Sequence, residues 1–185
     1  MSRIGNEPIE LPNGVNVDRS DENIVVVSGP KGALRQYVDA CISIEKGEHN
    51  GKPAIFLKRN SEEREIKSKH GMYRATLANM VKGVTEGYTK SVSIKGVGYK
   101  VSLAGNKLTF IIGLSHPVNV EVPADLTCTC PNATTVEISG IDKIRVGQFA
   151  ADLKAIKPVE PYHGYGIFYT NEVVRRKEIK KGAKK

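Results

Sequence analysis

Two helix-length stretches of this chain match each other at a fixed spacing, and that match restricts the fold more than any other feature. Gly71, Met72, Tyr73, Ala75, Leu77 and Met80 lie 76 residues before Gly147, Gln148, Phe149, Ala151, Leu153 and Ile156. Apart from Met72 and Gln148, each pair agrees in identity or class. Tyr73, Leu77, Met80, Val81 and Val84 recur at the spacing of one helix face, and Val146, Phe149, Leu153 and Ile156 do the same. Each stretch is followed by a Glu, a turn residue and a Tyr: Glu86-Gly-Tyr88 and Glu160-Pro-Tyr162. Each is preceded by short extended runs. A repeated strands-then-helix unit predicts an α+β fold of two tandem duplicated domains, each an antiparallel β-sheet with one helix packed on a face. The repeat divides the chain into 1–82 and 83–185.

The extended runs are placed by alternation and turn chemistry. The opening arm carries Pro8, Pro12 and Gly14, with one short extended piece at Ile9 to Leu11. Val15 to Val17 begins a strand. Ile24 to Val27 are consecutive and β-branched, which predicts a well-buried strand. Gly29-Pro-Lys-Gly32 breaks it, and Leu34 to Val38 is extended again. Cys41 to Ile44 and Ala54 to Leu57 flank Glu48-His-Asn-Gly51, where Asn-Gly suits the positive φ of a hairpin loop. The first helix is predicted to begin at Ser68 as N-cap and to end at Gly83 or Gly87. In the second half, Ser91 to Ala104 reads as one long strand with a bulge near Gly96 and Gly98. Leu108 to Ile112, Val118 to Val122, Leu126 to Cys130 and Thr135 to Ile138 follow as strands. Asp142 is placed to cap the second helix, and Pro158 ends it.

Charge is unevenly spread over these units. The chain carries 28 Lys and Arg against 20 Asp and Glu, a net +8. Pro161 to Lys185 alone hold seven basic and two acidic residues, leaving 21 against 18 for the rest. A local cationic strip that also contains Gly and aromatic residues suits a phosphate backbone with exposed bases. Cations neutralise phosphates, Gly permits close approach and rings stack on bases. A solubilising tail with its tyrosines in a core explains the same composition. The candidate binding residues are Tyr162, His163, Gly164, Tyr165, Gly166, Arg175, Arg176, Lys177, Lys180 and Lys181. About half of the rings in this block are expected to be structural.

Other chemistries find little support. Gly29-Pro-Lys-Gly32 resembles a nucleic-acid clamp only in its glycine spacing; between two strands it reads as a tight turn with an exposed Lys31. Gly96-Val-Gly98 and Gly164-Tyr-Gly166 lack the third glycine of a dinucleotide fingerprint. His49, His70, His116 and His163 have no Ser or Cys partner in a nucleophile motif, so no enzyme is expected. Cys41, Cys128 and Cys130 read as free thiols. Cys128 and Cys130 fall on one strand face, but with His116 they do not make a zinc set. No apolar run approaches the ~20 residues of a membrane span, and no export signal is visible. A cytoplasmic protein with no cofactor, no metal and no small-molecule substrate is expected.

The ordered motifs then point to one family. Ser2-Arg-Ile-Gly5 with Pro8-Ile-Glu-Leu-Pro12, Gly29-Pro-Lys-Gly32, His70-Gly71 and Asn79 to Tyr88 come first. Gly96-Val-Gly-Tyr99, Ser115-His-Pro-Val118 and Pro161 to Lys177 follow. Together they resemble the bacterial large ribosomal subunit protein six family over the full length. The resemblance implies a two-domain duplicated fold and a structural role in the large ribosomal subunit. It implies binding to large-subunit rRNA near the sarcin–ricin loop and the stalk base, with neighbouring ribosomal proteins and translation factors close by. It also implies that the C-terminal domain makes the main RNA contacts. His163, Tyr165 and Phe168 stand where the family usually has basic residues, so Arg175, Arg176 and Lys177 are expected to carry the electrostatics. A free-standing RNA-binding regulator is the competing expectation.

Overall fold

The computed structural model describes residues 4–20 and 23–178. They form two compact units. One holds the described residues as far as Tyr88 together with Ile141–Lys143; the other holds Thr89–Gly140 and the described residues from Ile144.

In the first unit, β1 (Ile9–Glu10), β2 (Asn16–Arg19), β3 (Ile24–Gly29), β4 (Gly32–Tyr37), β5 (Ile42–His49) and β6 (Lys52–Arg59) precede α1 (Arg64–Thr85). They make two three-stranded antiparallel sheets, ordered β2-β3-β4 and β1-β6-β5. In β3 only alternate residues are fully enclosed: Val25 and Val27 are buried, whereas Ile24 and Val26 keep partial exposure. The strand therefore buries one face rather than both. The β5–β6 hairpin closes through Asn50 and Gly51 at φ 55° and 75°, with His49 opposite Lys52, as the Asn-Gly pair dictates. Tyr73, Leu77, Met80, Val81 and Val84 of α1 pack with Val25, Val27, Ile42, Ile55 and Leu57 into one core.

Helix α1 starts a turn earlier than its sequence signals suggest. Its N-cap is Glu63, without a side-chain cap bond, and Ser68 lies inside the helix, its hydroxyl bonded to the Glu65 carbonyl at 2.7 Å. Two effects favour the extra turn. Arg64, Glu65 and Lys67 are good helix formers, and Ile66 gains contact with the core. The helix stops where Gly87 takes φ 80°, and the Lys82 carbonyl accepts the N–H groups of both Glu86 and Gly87. The Gly29–Gly32 turn docks on this end. Lys31 N–H donates to the Val84 carbonyl at 3.0 Å, and its ammonium donates to the Glu86 carbonyl. Lys31 thus caps a helix C-terminus, where a cation is favoured.

The second unit is built, apart from the terminal residues Tyr88 and Lys143, of β7 (Tyr88–Lys95), β8 (Lys100–Ala104), β9 (Lys107–Ile111), β10 (Val118–Glu121), β11 (Leu126–Asn132), β12 (Thr135–Gly140), α2 (Lys143–Ile156) and β13 (Gly166–Tyr169). Its sheets are ordered β10-β9-β8 and β11-β12-β7-β13. The stretch from Ser91 to Ala104 is therefore not one bulged strand. It is broken into β7 and β8, which belong to different sheets, by a turn in which Gly98 has φ 72°. Alternation continues across the break, which hid it. The duplication persists in the packing. His70, Tyr73 and Leu77 are buried on α1, and Val146, Phe149 and Leu153 are buried at the matching positions of α2. The fold is α+β with tandem duplicated domains.

Candidate nucleic-acid interface

The block after α2 is more ordered than a charged tail. β13 pairs antiparallel with β7, setting Gly166 opposite Lys95, Ile167 opposite Ile94, Phe168 opposite Ser93 and Tyr169 opposite Val92. Alternation places Ile167 in the core, fully buried, and leaves Phe168 half-buried on the other face. Gly166 must lack a side chain here. A Cβ would lie 2.8 Å from the Pro158 carbonyl oxygen and 2.8 Å from Val159 Cα, and both are backbone.

The residues between α2 and β13 form a turn organised by Glu160. Its carboxylate accepts the N–H of Tyr162 at 3.1 Å and of His163 at 2.9 Å, and it meets His163 Nδ1 at 3.2 Å. The His163 N–H bond, followed by the Tyr162 N–H and the imidazole, holds the Glu160 carboxyl below its ordinary range. Gly164 at φ 73° reverses the chain, and the Glu160 N–H closes the turn on the Tyr165 carbonyl at 2.9 Å. The His163 and Tyr165 rings then stack, with centroids 5.5 Å apart and planes inclined by 23°.

The basic segment folds back onto this turn. Lys177 N–H donates to the Pro161 carbonyl at 2.9 Å. The Arg176 guanidinium lies over Gly164, so close that a Cβ there would be 3.0 Å from Nε. Arg175, Arg176 and Lys177 are exposed, and none forms an ion pair with a described residue. In the first unit, by contrast, Lys46, Lys52, Lys58, Arg59, Lys67, Lys69, Arg74 and Lys82 all have carboxylate partners. Residues 89–185 hold 15 Lys and Arg against 8 Asp and Glu, so most of the excess positive charge lies in this half of the chain, which suits a polyanionic partner.

Of the residues singled out from the sequence, Tyr162, His163, Arg175, Arg176 and Lys177 are exposed, the first two on the turn and the last three on the irregular segment that folds back onto it. Tyr165 is half-buried in the stack, while Gly164 and Gly166 are buried and shape the backbone. Lys180 and Lys181 lie outside the described residues. The fold adds cations that the linear reading passed over. Lys95 stands beside Gly166 through the β7–β13 register. Lys90 and Lys154 place their ammonium groups 4.0 Å and 4.8 Å from the Tyr169 ring centroid. The alternating Gly-Ile-Phe-Tyr run of β13 was the signal that would have found them.

Among the described residues no group of three or more His, Cys, Asp or Glu is placed to hold a metal ion, and no helix is long and apolar enough to cross a membrane. Burial pushes the Cys128 thiol up to about 11, so it is protonated at neutral pH.

A twice-repeated sheet-and-helix scaffold, with a glycine-aromatic turn and exposed cations following its second helix, defines the class of duplicated α+β proteins. The chain belongs to the ribosomal protein L6 family, whose model matches it twice, over residues 11–87 and 95–170. It is 46% identical over 182 residues to the large ribosomal subunit protein uL6 of Alkaliphilus metalliredigens, covering 98% of this chain and 99% of that protein. It is 42% identical over 184 residues to the uL6 of Dictyoglomus thermophilum, and 44% identical over 184 residues to that of Clostridioides difficile. Both of these cover 100% of each chain.

Proposed function

We propose that this protein is a structural constituent of the large ribosomal subunit that grips folded rRNA through the block from Tyr162 to Lys181. The observation that carries this reading is the exposed set Arg175, Arg176 and Lys177, which forms no ion pair with a described residue and lies on a segment folded back onto an ordered turn. Arg176 and Lys177 are tethered to the turn, so their charge is presented with little ordering cost. Tyr162 and His163 offer exposed rings for stacking, and Gly164 and Gly166 let the backbone approach. The stacked His163 and Tyr165 rings replace two of the basic residues usual in the family with a planar surface. Recognition is by charge and shape, with little base reading. In this reading the contact lies near the sarcin–ricin loop and the stalk base, where translation factors dock, as the family resemblance implies. The first unit, in which most described surface cations are paired, faces solvent or neighbouring ribosomal proteins.

Replacing Arg175, Arg176 and Lys177 together with Ala tests this reading. Binding to a large-subunit rRNA transcript is expected to weaken. The slope of log K against log salt should flatten by about 0.7–0.9 per lost phosphate contact. An unchanged slope refutes the role of these residues. Sedimentation after a high-salt wash separates this reading from a free-standing regulator, which would leave the large subunit.

A further inference from the structure

We propose that the outer edge of β4 is a docking site for an extended, acidic segment of another protein, which adds to the sheet as a further strand. The inference goes beyond the rRNA reading, which draws on residues after α2, and its test needs no RNA.

Strand register leaves this edge open. The Val38 N–H donates to the Asn23 carbonyl at 2.9 Å, so Asn23 and Val38 face each other as a hydrogen-bonded pair. Counting back by twos, Val25–Gln36 and Val27–Leu34 are hydrogen-bonded pairs as well, down to Gly29–Gly32 at the turn. The main-chain groups of Leu34 and Gln36 are therefore used by β3. Those of Ala33, Arg35 and Tyr37 point the other way, and β4 is the last strand of its sheet. The Tyr37 carbonyl accepts the Gln36 side-chain amide at 2.9 Å; the others bond to no described residue. A row of free N–H and C=O groups is a template for another strand.

Neighbouring edges are protected where this one is not. β1 has two residues and β2 four, and the Val17 N–H is taken by Asn16 Oδ1 at 3.0 Å. β5 is longer but exposes Glu45, Lys46 and Glu48. β10 holds the place of β4 in the second unit. It has four residues, ends in the exposed Glu121 and ties its Asn119 to Thr109 at 2.9 Å. β4 runs for six residues with Arg35 as its one charge and no proline. Long unprotected edges invite pairing, which soluble chains otherwise suppress.

The face beside the edge sets the chemistry of the occupant. Ala33, Arg35 and Tyr37 are exposed, Tyr37 by 54%. Ile24 lies opposite Tyr37 and Val26 opposite Arg35, and both keep partial exposure on this same outer face. One cation thus stands among apolar side chains. Arg35 forms no ion pair with a described residue, whereas Lys46, Lys58 and Arg59 of the other sheet do. A carboxylate facing Arg35, with apolar side chains two residues to either side, complements this face. Phosphates only accept, so a nucleic acid would leave the edge carbonyls unmatched. A second copy paired about Arg35 would set like charges opposite each other.

The test titrates the full-length protein with two capped peptides, Thr-Val-Thr-Glu-Thr-Val-Thr and its counterpart with Lys in place of Glu. Amide NMR of the parent with the Glu peptide should shift Ala33, Arg35 and Tyr37 and slow their exchange, with Leu34 and Gln36 protected as before. The Glu peptide should bind about threefold more tightly than the Lys peptide, and Arg35→Glu should reverse that order. Ala33→Pro removes an edge donor that β3 does not use, so it should weaken both peptides with little change in the urea midpoint. Arg35→Glu keeps the backbone and decides the matter if Ala33→Pro does not fold. Peptides that fail to bind, or that bind without the alternating amide pattern, overturn the proposal. Equal affinity of the parent for both peptides overturns it too. So does concentration-dependent sedimentation of the protein alone that Ala33→Pro abolishes, since the edge would then belong to a second copy.

Discussion

Lys154 Nζ lies 2.7 Å from both carboxylate oxygens of Glu172, and the same carboxylate accepts the Tyr169 N–H at 3.2 Å. Tyr169 ends the edge strand β13, so Glu172 satisfies an edge donor while anchoring the strand to α2. The ammonium of Lys154 holds the Glu172 carboxyl below its ordinary 4.5. A depressed carboxyl stabilises the fold above its unfolded value, and that contribution is lost as pH falls through the folded value. Glu172→Gln keeps an acceptor for Tyr169 but removes the charge. It is expected to cost about 0.5–1 kcal/mol at pH 7, read as a lower urea midpoint. The difference from the parent should disappear once pH is well below 4.5. A deficit that persists there would mean that the charge is not what Glu172 contributes.

Gly166 and Gly164 both have positive φ, 142° and 73°, but they resist substitution for different reasons. At Gly166 a Cβ meets backbone of Lys157, Pro158 and Val159, which cannot yield without undocking β13. Gly166→Ala is expected to cost more than ~2 kcal/mol and to release the β7–β13 amides to hydrogen exchange. At Gly164 the Cβ meets only the Arg176 guanidinium, which can swing away. Gly164→Ala is expected to cost about 1–2 kcal/mol for the backbone alone, with the exchange pattern of β13 retained. Its effect should appear in RNA affinity. Equal destabilisation by the two variants would contradict the contacts described here.

The helices were legible because burying one face imposes a spacing that survives in the chain. Tyr73 and Phe149, or Leu77 and Leu153, announce it directly. Helix limits were less so, since the helix formers upstream of Ser68 compete with its capping tendency. The break between β7 and β8 was hidden because Val97, Tyr99 and Val101 keep the strand period through a turn that tertiary packing around Tyr99 stabilises. β13 was missed for the opposite reason, its Gly and aromatic residues reading as a ligand loop. The cationic end was visible as composition. That Lys95, Lys154 and Lys157 stand near it was not, because their placement follows from strand register and helix docking, which no local pattern encodes.

Cys128 supports a prediction about reactivity. It sits on the core face of β11, and burial, with a smaller contribution from Cys130, pushes its thiol up to about 11. At pH 7.5 the thiolate fraction is then on the order of 10⁻³ or less, and reagent access requires opening of the sheet. Iodoacetamide is expected to label Cys41 well before Cys128, as mass spectrometry of quenched samples would show. Rapid labelling of Cys128 in the folded protein would exclude its placement in the core.

His70 is the one polar side chain in the buried stripe of α1, at the position that Val146 takes in α2. Its Nδ1 faces Arg59 Nη1 at 3.1 Å, and its Nε2 faces the Leu57 carbonyl at 3.0 Å. A guanidinium can only donate, so Nδ1 accepts and the ring proton lies on Nε2, donated to Leu57. Arg59 in turn pairs with Glu62 at 2.7 Å, linking the end of β6 to the start of α1. The ring also supports the N-terminal arm, because a Cβ on Gly5 would fall 2.5 Å from Nδ1. His70→Val copies the second repeat and keeps an apolar side chain in the stripe, but it strands the Leu57 carbonyl and one face of the guanidinium. The expected loss is about 2–3 kcal/mol, because unsatisfied buried partners cost more than the bonds themselves contribute. Urea denaturation at pH 7.5 measures it. A variant as stable as the parent would show that the two repeats need the same residue here, and that the histidine network adds nothing to the fold.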